Sequence, residues 1–214
     1  MSTAFEFIRT YVESTTDIDP ALATAREDAT EFGLAIPDEM TGQLLSTLTA
    51  ATNSASSTGA IAVTPAAGVV GLHLLLGLRE GTTLTCIDPE SEHQRQAKKV
   101  FRDAGYAPGR VRFLPSRPLD VMGRLANDSY QLVFGQVSPM DLVAFVDAAW
   151  PLLLPGGILV LADSLLDGTL SDHTRKDRET VAAREADEHI RALDGALVAR
   201  LPLGAGLTLV TRLP

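Results

Sequence analysis

The pattern of hydrophobic and polar positions changes once along the chain, near Gly59. In residues 1–55 apolar side chains recur at helical spacing, as at Phe5 and Ile8. Asp38 lies where its side chain can open a further helix. The pattern therefore predicts that the N-terminal quarter of the chain is made of helices.

After Gly59, short apolar runs alternate with helical stretches. The predicted strands are Ala60–Thr64, Thr83–Asp88, Val111–Leu114, Tyr130–Gly135, Ile158–Asp163, Ala196–Leu201 and Leu207–Thr211. The predicted helices between them are Ala66–Leu78, Glu90–Ala104, Leu119–Ala126, Met140–Leu153 and Ser171–Leu193. Only a hairpin-length link joins the last two strands. The sequence thus predicts an α/β fold: a doubly wound, mostly parallel seven-stranded sheet with its last strand antiparallel, helices on both faces and an N-terminal helical extension.

Composition and charge limit the classes of partner. The 214 residues are 45% hydrophobic, which is enough for one substantial core. The 27 acidic residues outnumber the 18 Lys and Arg, and the net charge of −9 argues against binding to nucleic acid or to an anionic membrane surface. The uncharged stretch Met40–Leu78 is broken by Thr64 and Pro65, so we expect a buried strand, turn and helix there, not a membrane span. The first residues lack a secretion-signal layout, and we expect a cytoplasmic protein.

Residues that follow the first two strands suggest a ligand. Ligands of parallel sheets bind at the carboxyl ends of the strands. Thr64, Ala66 and Gly68 follow the first strand, and small residues there let a ligand approach the backbone. Asp88 ends the second strand, where a carboxylate can accept both hydroxyl protons of a ribose. This pattern favours an adenosine-containing ligand. In the other interpretation, Gly68 only allows close packing and Asp88 only caps a helix.

Several short segments, in order and at matching spacing, carry a family resemblance. They are the approach from Gly33 through Thr41–Leu45, TCIDPE around Asp88, AGY at Ala104–Tyr106, YQLVF at Tyr130–Phe134, LLLPGGILVLAD at Leu152–Asp163 and LPLGAGL at Leu201–Leu207. With them the sequence resembles the class I S-adenosylmethionine-dependent O-methyltransferases of the catechol and caffeoyl-CoA type. The resemblance implies one methyltransferase domain over residues 1–214, with helices in 1–55 and a Rossmann-like core in 59–214. It also implies S-adenosylmethionine as cofactor, a small-molecule acceptor methylated on oxygen and, with the apolar residues of the first helix, a homodimer.

The same resemblance implies roles for individual residues. Those assigned to the cofactor are Thr64, Ala66, Gly68, Asp88, Ser116, Arg117 and Gln136. Asp88 would hold the ribose, and Ser116 would meet the adenine edge. Gln136 and Asp163 would face the acceptor as the catalytic pair, with Asp163 as candidate general base.

The chain departs from the family pattern at both of its main motifs. Only Gly68 survives of the first glycine-rich motif. Metal-using members place an Asp where Gln136 stands, a Lys where Pro139 stands and an Asn where Ser164 stands. Asp163 alone remains of the metal ligands. We therefore expect no divalent metal and a metal-independent activity.

Two alternatives stay open at this level. The losses at Gln136, Pro139 and Ser164 also fit a catalytically degenerate S-adenosylmethionine-binding or scaffold homologue. The pattern Ala66-x-Gly68-x-x-Gly71 resembles a dinucleotide fingerprint without its first glycine and would fit an NAD-dependent oxidoreductase.

Three further residues are assigned ordinary structural roles. Cys86, within an apolar run, is expected in the core. His73 is expected to be half-buried with its polar atoms satisfied, and His93 is expected to be solvated on a charged helical face.

Overall fold

The computed structural model describes residues 3–214, and its centre is a seven-stranded sheet. The strands are β1 Gly59–Val63, β2 Thr83–Ile87, β3 Val111–Leu114, β4 Tyr130–Gly135, β5 Leu153–Leu161, β6 Ala196–Leu201 and β7 Leu207–Arg212. Their order across the sheet is β3-β2-β1-β4-β5-β7-β6. Strands β1 to β5 pair in parallel, whereas β7 is antiparallel to both of its neighbours. The predicted fold class is confirmed, including the single reversed strand.

Eight α-helices surround the sheet in the described part of the chain. They are α1 Ala4–Thr15, α2 Pro20–Glu31, α3 Glu39–Ala51, α4 Ala67–Gly77, α5 Ser91–Asp103, α6 Pro118–Val121, α7 Leu142–Ala149 and α8 Arg178–Arg191. The predicted cap of α3 is present, because the Asp38 carboxylate accepts a hydrogen bond of 2.8 Å from the Thr41 amide. Among residues 3–214, no helix combines the length and apolarity that crossing a bilayer requires.

Strand β1 shows how the sheet divides the core into two layers. Ala60 and Ala62 point into the cluster that contains α2 to α5, and Ile61 and Val63 point into the cluster formed with α7 and α8. Every residue of β1 is buried, as expected for a central parallel strand covered on both faces. Cys86 in β2 belongs to the first layer, as predicted, and burial raises the pKa of its thiol.

Strand β5 starts earlier than predicted. The segment Pro155–Gly157, which precedes the strand predicted from Ile158, lies inside β5, which begins at Leu153. The pairing with β4 shifts register between Tyr130 and Leu132, and Gly156 has a φ of +81°. The glycines thus form an irregularity within one strand: the register with β4 is interrupted after Leu153 and resumes at Ile158.

Three of the helices are shorter than predicted. The last one begins at Arg178, where Asp177 caps it by accepting a hydrogen bond of 3.0 Å from the Thr180 amide. Residues 166–171 form 3₁₀ turns instead, with positive φ at Asp167 and Gly168. The helices predicted as Leu119–Ala126 and Met140–Leu153 are reduced to α6 and α7 with flanking 3₁₀ turns.

A polar cluster, the helix cluster (Arg26, Glu39 and His73), lies where α2, α3 and α4 meet, with Glu39 and His73 buried and Arg26 half-buried. Arg26 Nη2 lies 2.9 Å from a carboxylate oxygen of Glu39. His73 is 5% exposed and its Nδ1 lies 3.5 Å from Ser46 Oγ. Within residues 3–214, His73 Nε2 and Arg26 Nε have no hydrogen-bond partner. Burial first, and then the charge of Arg26, lowers the pKa of His73 to about 4. His73 is therefore more buried and less satisfied than predicted.

The division of the chain into residues 1–55 and 59–214 of one domain stays a prediction, and Met1 and Ser2 lie outside the described residues. Helix α3 from the first segment packs closely on α4 from the second.

Candidate active site

The parallel register aligns the carboxyl ends of the strands at one edge of the sheet. Val63 of β1 pairs with Ile87 of β2 and with Gly135 of β4. The residues that follow these ends in the chain, Thr64 and Gln136, therefore lie side by side. In strand order from β3 to β5, the predicted site residues at this edge are Ser116, Asp88, Thr64, Gln136 and Asp163.

Three of these side chains form one hydrogen-bonded series, the strand-edge chain (Thr64, Gln136 and Asp163). Thr64 Oγ1 donates to Gln136 Oε1 at 2.8 Å, and Gln136 Nε2 donates to Asp163 Oδ2 at 3.4 Å. An ionised carboxylate only accepts hydrogen bonds, so Asp163 fixes the amide of Gln136 with its NH₂ group toward β5. Thr64 Oγ1 also accepts the Ala66 amide at 3.1 Å, which ties the chain to the turn after β1.

The hairpin between β6 and β7 holds Asp163 from the other side. The Ala205 amide donates to Asp163 Oδ1 at 3.0 Å. A Cβ atom added at Gly204 would lie 2.9 Å from the same oxygen, and Gly204 has a φ of +57°. Both observations favour glycine at position 204. Asp163 itself has a φ of +55°, which turns the chain away from the strand at this residue.

Ser164 and Pro139 are the positions at which the family resemblance implies Asn and Lys in metal-using members. Neither side chain takes part in the strand-edge chain. Ser164 is buried, and its hydroxyl donates to Thr208 Oγ1 at 2.8 Å in the core. Pro139 opens a 3₁₀ turn that Ser138 caps. Within residues 3–214, no group of three or more His, Cys, Asp and Glu side chains is placed to hold a metal ion.

A narrow cleft of about 30 Å³ lies over the strand-edge chain. The connection between α2 and α3, the ends of β4 and β5 and the final hairpin form its walls. Its lining residues are Ile36, Pro37, Asp38, Thr41, Phe134, Gln136, Ala162, Asp163, Leu203, Gly204 and Leu207. The lining is therefore apolar apart from a few polar groups, and its two charged groups are both carboxylates.

Asp88, at the end of β2, is buried and held at several points. Its amide donates to the Leu114 carbonyl at 3.3 Å, and its own carbonyl accepts Gln94 Nε2 at 2.7 Å. The carboxylate accepts the Glu90 amide at 3.4 Å and lies 2.7 Å from His93 Nδ1. The prediction that His93 is solvated is therefore wrong. The missed signal was its place in the first turn of α5, which folds back over the strand end that precedes it.

The other predicted cofactor residues differ in their surroundings. A Cβ atom at Gly68 would lie 3.7 Å from Ala97 Cα and 3.9 Å from Ala25 Cβ, so Gly68 faces α5 and α2 with room for a methyl group. Ser116 is half-buried after β3, and Arg117 is exposed at the start of α6. Within the described chain, the side chains of Ser116 and Arg117 make no hydrogen bond, so they lie free at the edge.

Comparison with known proteins agrees with this architecture. The model of a family described as O-methyltransferase matches residues 22–213. A family protein of Mycolicibacterium vanbaalenii is 41% identical over 210 residues, which cover 97% of this chain and 90% of the relative.

Solved structures include a Corynebacterium glutamicum protein with 75% identity and a TM-score of 0.98, covering 99% of this chain and 98% of the other. An O-methyltransferase of tomaymycin synthesis from Streptomyces achromogenes, solved in complex with S-adenosylmethionine, shares the fold at 21% identity and a TM-score of 0.86, with full coverage of both chains (100%). These findings decide against the NAD-dependent oxidoreductase. They confirm the S-adenosylmethionine-dependent methyltransferase interpretation at the level of family: the chain belongs to the O-methyltransferase family.

Proposed function

We propose that this chain transfers the methyl group of S-adenosylmethionine to an oxygen of a small-molecule acceptor without a divalent metal. Family membership supports the cofactor and the type of reaction. The main observation in support of a metal-independent reaction is the strand-edge chain. In it, Gln136 and Asp163 are hydrogen-bonded to each other, and both line the cleft.

The polar groups along the sheet edge fit the cofactor. Asp88 offers a buried carboxylate for ribose hydroxyls. Ser116 and Arg117, whose side chains make no hydrogen bond in the described chain, follow the neighbouring strand β3. Thr64 and Ala66 present a tight turn between this half of the edge and the cleft. The cofactor supplies an electrophilic methyl group on a sulfonium.

Asp163 is the group in the cleft suited to take the acceptor proton. A hydroxyl becomes a better nucleophile when a positioned carboxylate accepts its proton. The Ala205 amide and Gln136 Nε2 fix both oxygens of Asp163, so its orientation is set before an acceptor arrives. The second N–H of Gln136 is available to hold the acceptor oxygen in line.

The side chains that would complete a metal site are engaged elsewhere. The oxygen of Gln136 accepts the Thr64 hydroxyl, and the Ser164 hydroxyl is bonded in the core. A small dication is usually held by carboxylates with several waters. Among the positions that the family resemblance assigns to a metal, only Asp163 carries a carboxylate, and the Asp38 carboxylate across the cleft caps α3. This arrangement supports metal independence.

The charges of the cleft support a neutral or positively charged acceptor. Asp38 and Asp163 contribute carboxylates, and none of the described residues that line the cleft is Lys or Arg. An anionic acceptor would meet repulsion from both groups without compensation.

Calorimetric titration with S-adenosylmethionine, S-adenosylhomocysteine and NAD tests the cofactor. We expect the first two to bind and NAD not to bind. Replacing Asp88 with Ala is expected to weaken the binding of S-adenosylhomocysteine by about 1.5–3 kcal/mol, since the change removes the acceptor of charge-assisted hydrogen bonds. An unchanged affinity in Asp88→Ala would remove Asp88 from the site.

Methyl transfer to a panel of neutral, cationic and anionic phenols, with and without chelator, tests the reaction. We expect turnover of neutral or cationic acceptors that chelator leaves intact. Loss of turnover in chelator with recovery in Mg²⁺ would show that a cation is required. Cofactor binding without turnover of any acceptor would favour the catalytically degenerate homologue.

We also propose that two copies of the chain associate through α1. This helix has no buried residue, and it exposes Phe7, Ile8 and Tyr11 at 58–68% of their surface. Exposed aromatic and aliphatic side chains on one helix favour a protein partner. Light scattering should give about twice 22.7 kDa, and substitution of Phe7 and Tyr11 by Ser should halve that mass. A mass of one chain for the unmodified protein would contradict this proposal.

The cytoplasmic location stays a prediction.

A further inference from the structure

Two consecutive residues in the first turn of α5 hold the end of β2. His93 Nδ1 lies 2.7 Å from Asp88 Oδ2, and Gln94 Nε2 donates to the Asp88 carbonyl at 2.7 Å. One residue therefore fixes the side chain of Asp88 and the next fixes its backbone. Pro89 and Glu90 form the short connection that brings the helix back over the strand end.

The buried setting distinguishes this histidine–carboxylate pair from the one at the surface. His93 and Asp88 have side chains exposed by 17% and 7%. His189 Nε2 also lies 2.7 Å from a carboxylate, that of Asp147, but these side chains are exposed by 34% and 59%. Water can replace a partner of Asp147, whereas a buried carboxylate depends on the protein for its hydrogen bonds.

His93 is the strongest donor to the Asp88 carboxylate. The other donor, the Glu90 amide, lies 3.4 Å away from Oδ1. The bond from Nδ1–H to Oδ2 therefore sets the rotation of the carboxylate about its Cβ–Cγ bond. Each carboxylate oxygen has more than one acceptor direction, so both oxygens can still accept hydroxyl protons of a ligand.

We propose that His93 is a positioning residue for cofactor binding, which orients the Asp88 carboxylate toward the ribose hydroxyls. The inference rests on the proposed function, because it takes Asp88 as the ribose acceptor. Its effect is preorganisation: a carboxylate already held in the binding orientation loses little freedom when the ligand arrives. Without His93, Asp88 would rotate toward whatever donor or water it could reach, and the ligand would have to reverse that change.

Calorimetric titration with S-adenosylhomocysteine distinguishes positioning from simple packing. His93→Leu removes the donor and should raise the dissociation constant about tenfold. His93→Asn keeps an N–H donor at the reach of Nδ1 and should restore the constant to within about threefold of the unmodified protein. His189→Leu, which breaks the matched surface pair, should leave binding unchanged.

A double-mutant cycle with Asp88→Asn shows whether His93 acts through Asp88. In the Asp88→Asn background His93→Leu should cause no further loss, because the oriented carboxylate is already gone. Thermal melting of each variant reports whether it is folded, and His93→Asn provides the test if His93→Leu does not fold.

The inference is overturned if His93→Leu binds as the unmodified protein does, or if His93→Asn binds as weakly as His93→Leu. It is also overturned if the loss persists undiminished in the Asp88→Asn background. Absence of S-adenosylhomocysteine binding by the unmodified protein would instead overturn the proposed function, and this inference with it.

Discussion

The strand-edge chain and the helix cluster both consist of polar side chains in protected positions, but they differ in how those side chains are satisfied. In the strand-edge chain each member is hydrogen-bonded to the next, and the series ends at a cleft. In the helix cluster, Arg26 Nε and His73 Nε2 are buried without a partner in the described chain. Burial and charge therefore do not identify a functional group here. Position at the carboxyl ends of parallel strands does identify such a group, because ligands of parallel sheets bind at that edge.

The two regions should also respond differently to substitution. The strand-edge chain is expected to control turnover with little effect on folding. The helix cluster is expected to control stability and its pH dependence with little effect on turnover, since Arg26, Glu39 and His73 pack α2 and α3 against α4 and do not line the cleft. Each expectation can be tested separately.

The largest effect is expected for Asp163→Asn. Asn cannot accept the acceptor proton, so kcat should fall by about 10²–10⁴-fold. The Asn oxygen can still accept the Ala205 amide, and only the 3.4 Å hydrogen bond from Gln136 Nε2 is lost, so the melting temperature should change little. Steady-state kinetics and S-adenosylhomocysteine titration separate the two effects, since cofactor affinity should stay within a few-fold. A kcat within twofold of the unmodified enzyme would eliminate Asp163 as the base.

His73 should make the helix cluster sensitive to acid. Its pKa is lowered to about 4 in the folded protein from 6.5, so the unfolded chain binds a proton first as pH falls. The free energy of unfolding should therefore decrease between about pH 6.5 and pH 4, by up to about 3 kcal/mol. The charged groups near His73 are Arg26, which is paired with Glu39, and Asp19, which lines a cavity of about 140 Å³ with His73.

Urea unfolding at several pH values measures this dependence. His73→Leu should flatten the curve over that range, whereas His189→Leu, at an exposed site, should not. Equal slopes for the unmodified protein and His73→Leu would show that other groups cause the acid sensitivity.

Gly42→Ala tests the packing of the helix cluster without changing a charge. A Cβ atom at Gly42 would lie 2.3 Å from His73 Nε2, too close for the ring to remain in place. Overpacking of this kind costs about 1–3 kcal/mol of unfolding free energy. The urea midpoint should fall while kcat is unchanged. Gly109→Ala, where an added Cβ meets no atom within 4 Å, is the matched control.

The sequence predicts the features of the two regions that depend on neighbouring residues. It does not predict those that depend on contacts between distant parts of the chain. Thr64, Asp88, Gln136 and Asp163 follow apolar runs that could be identified as strands, so their common edge followed from the parallel topology. The residue types within and directly after each strand were enough to predict that these four side chains lie at one edge. The cap at Asp38 was predictable for the same reason, since it depends on only a few neighbouring residues.

Features that depend on chain reversals or on helix contacts were not predictable. The pairing of His93 with Asp88 needs the exact entry angle of α5. The removal of Ser164 to the core follows from the positive φ of Asp163, which no pattern in the sequence specifies. His73 lies against Gly42, which comes from another helix, so its unsatisfied Nε2 is a tertiary property.

The smallest effect is expected for Thr64→Val. The change removes the hydroxyl that donates to Gln136 Oε1 but keeps the shape and burial of the side chain. The Gln136 amide is then held only by Asp163 at 3.4 Å, so its orientation is less fixed. The change also removes the acceptor of the Ala66 amide, which bears on stability. Loss of the neutral hydrogen bond to Gln136 is worth about 0.5–1.5 kcal/mol, which corresponds to a decrease in kcat of about twofold to tenfold.

Thr64→Ser restores the hydroxyl and should recover kcat. Thr49→Val removes a similarly buried hydroxyl, one that donates to the Leu45 carbonyl within α3, and should lower stability without lowering kcat. The two variants compare the loss of a buried hydroxyl in the strand-edge chain with the loss of one in α3, by the same measurements of kcat and stability. If Thr49→Val and Thr64→Val lower kcat equally, the link between Thr64 and Gln136 contributes to folding alone, and the proposed separation between the two regions does not hold.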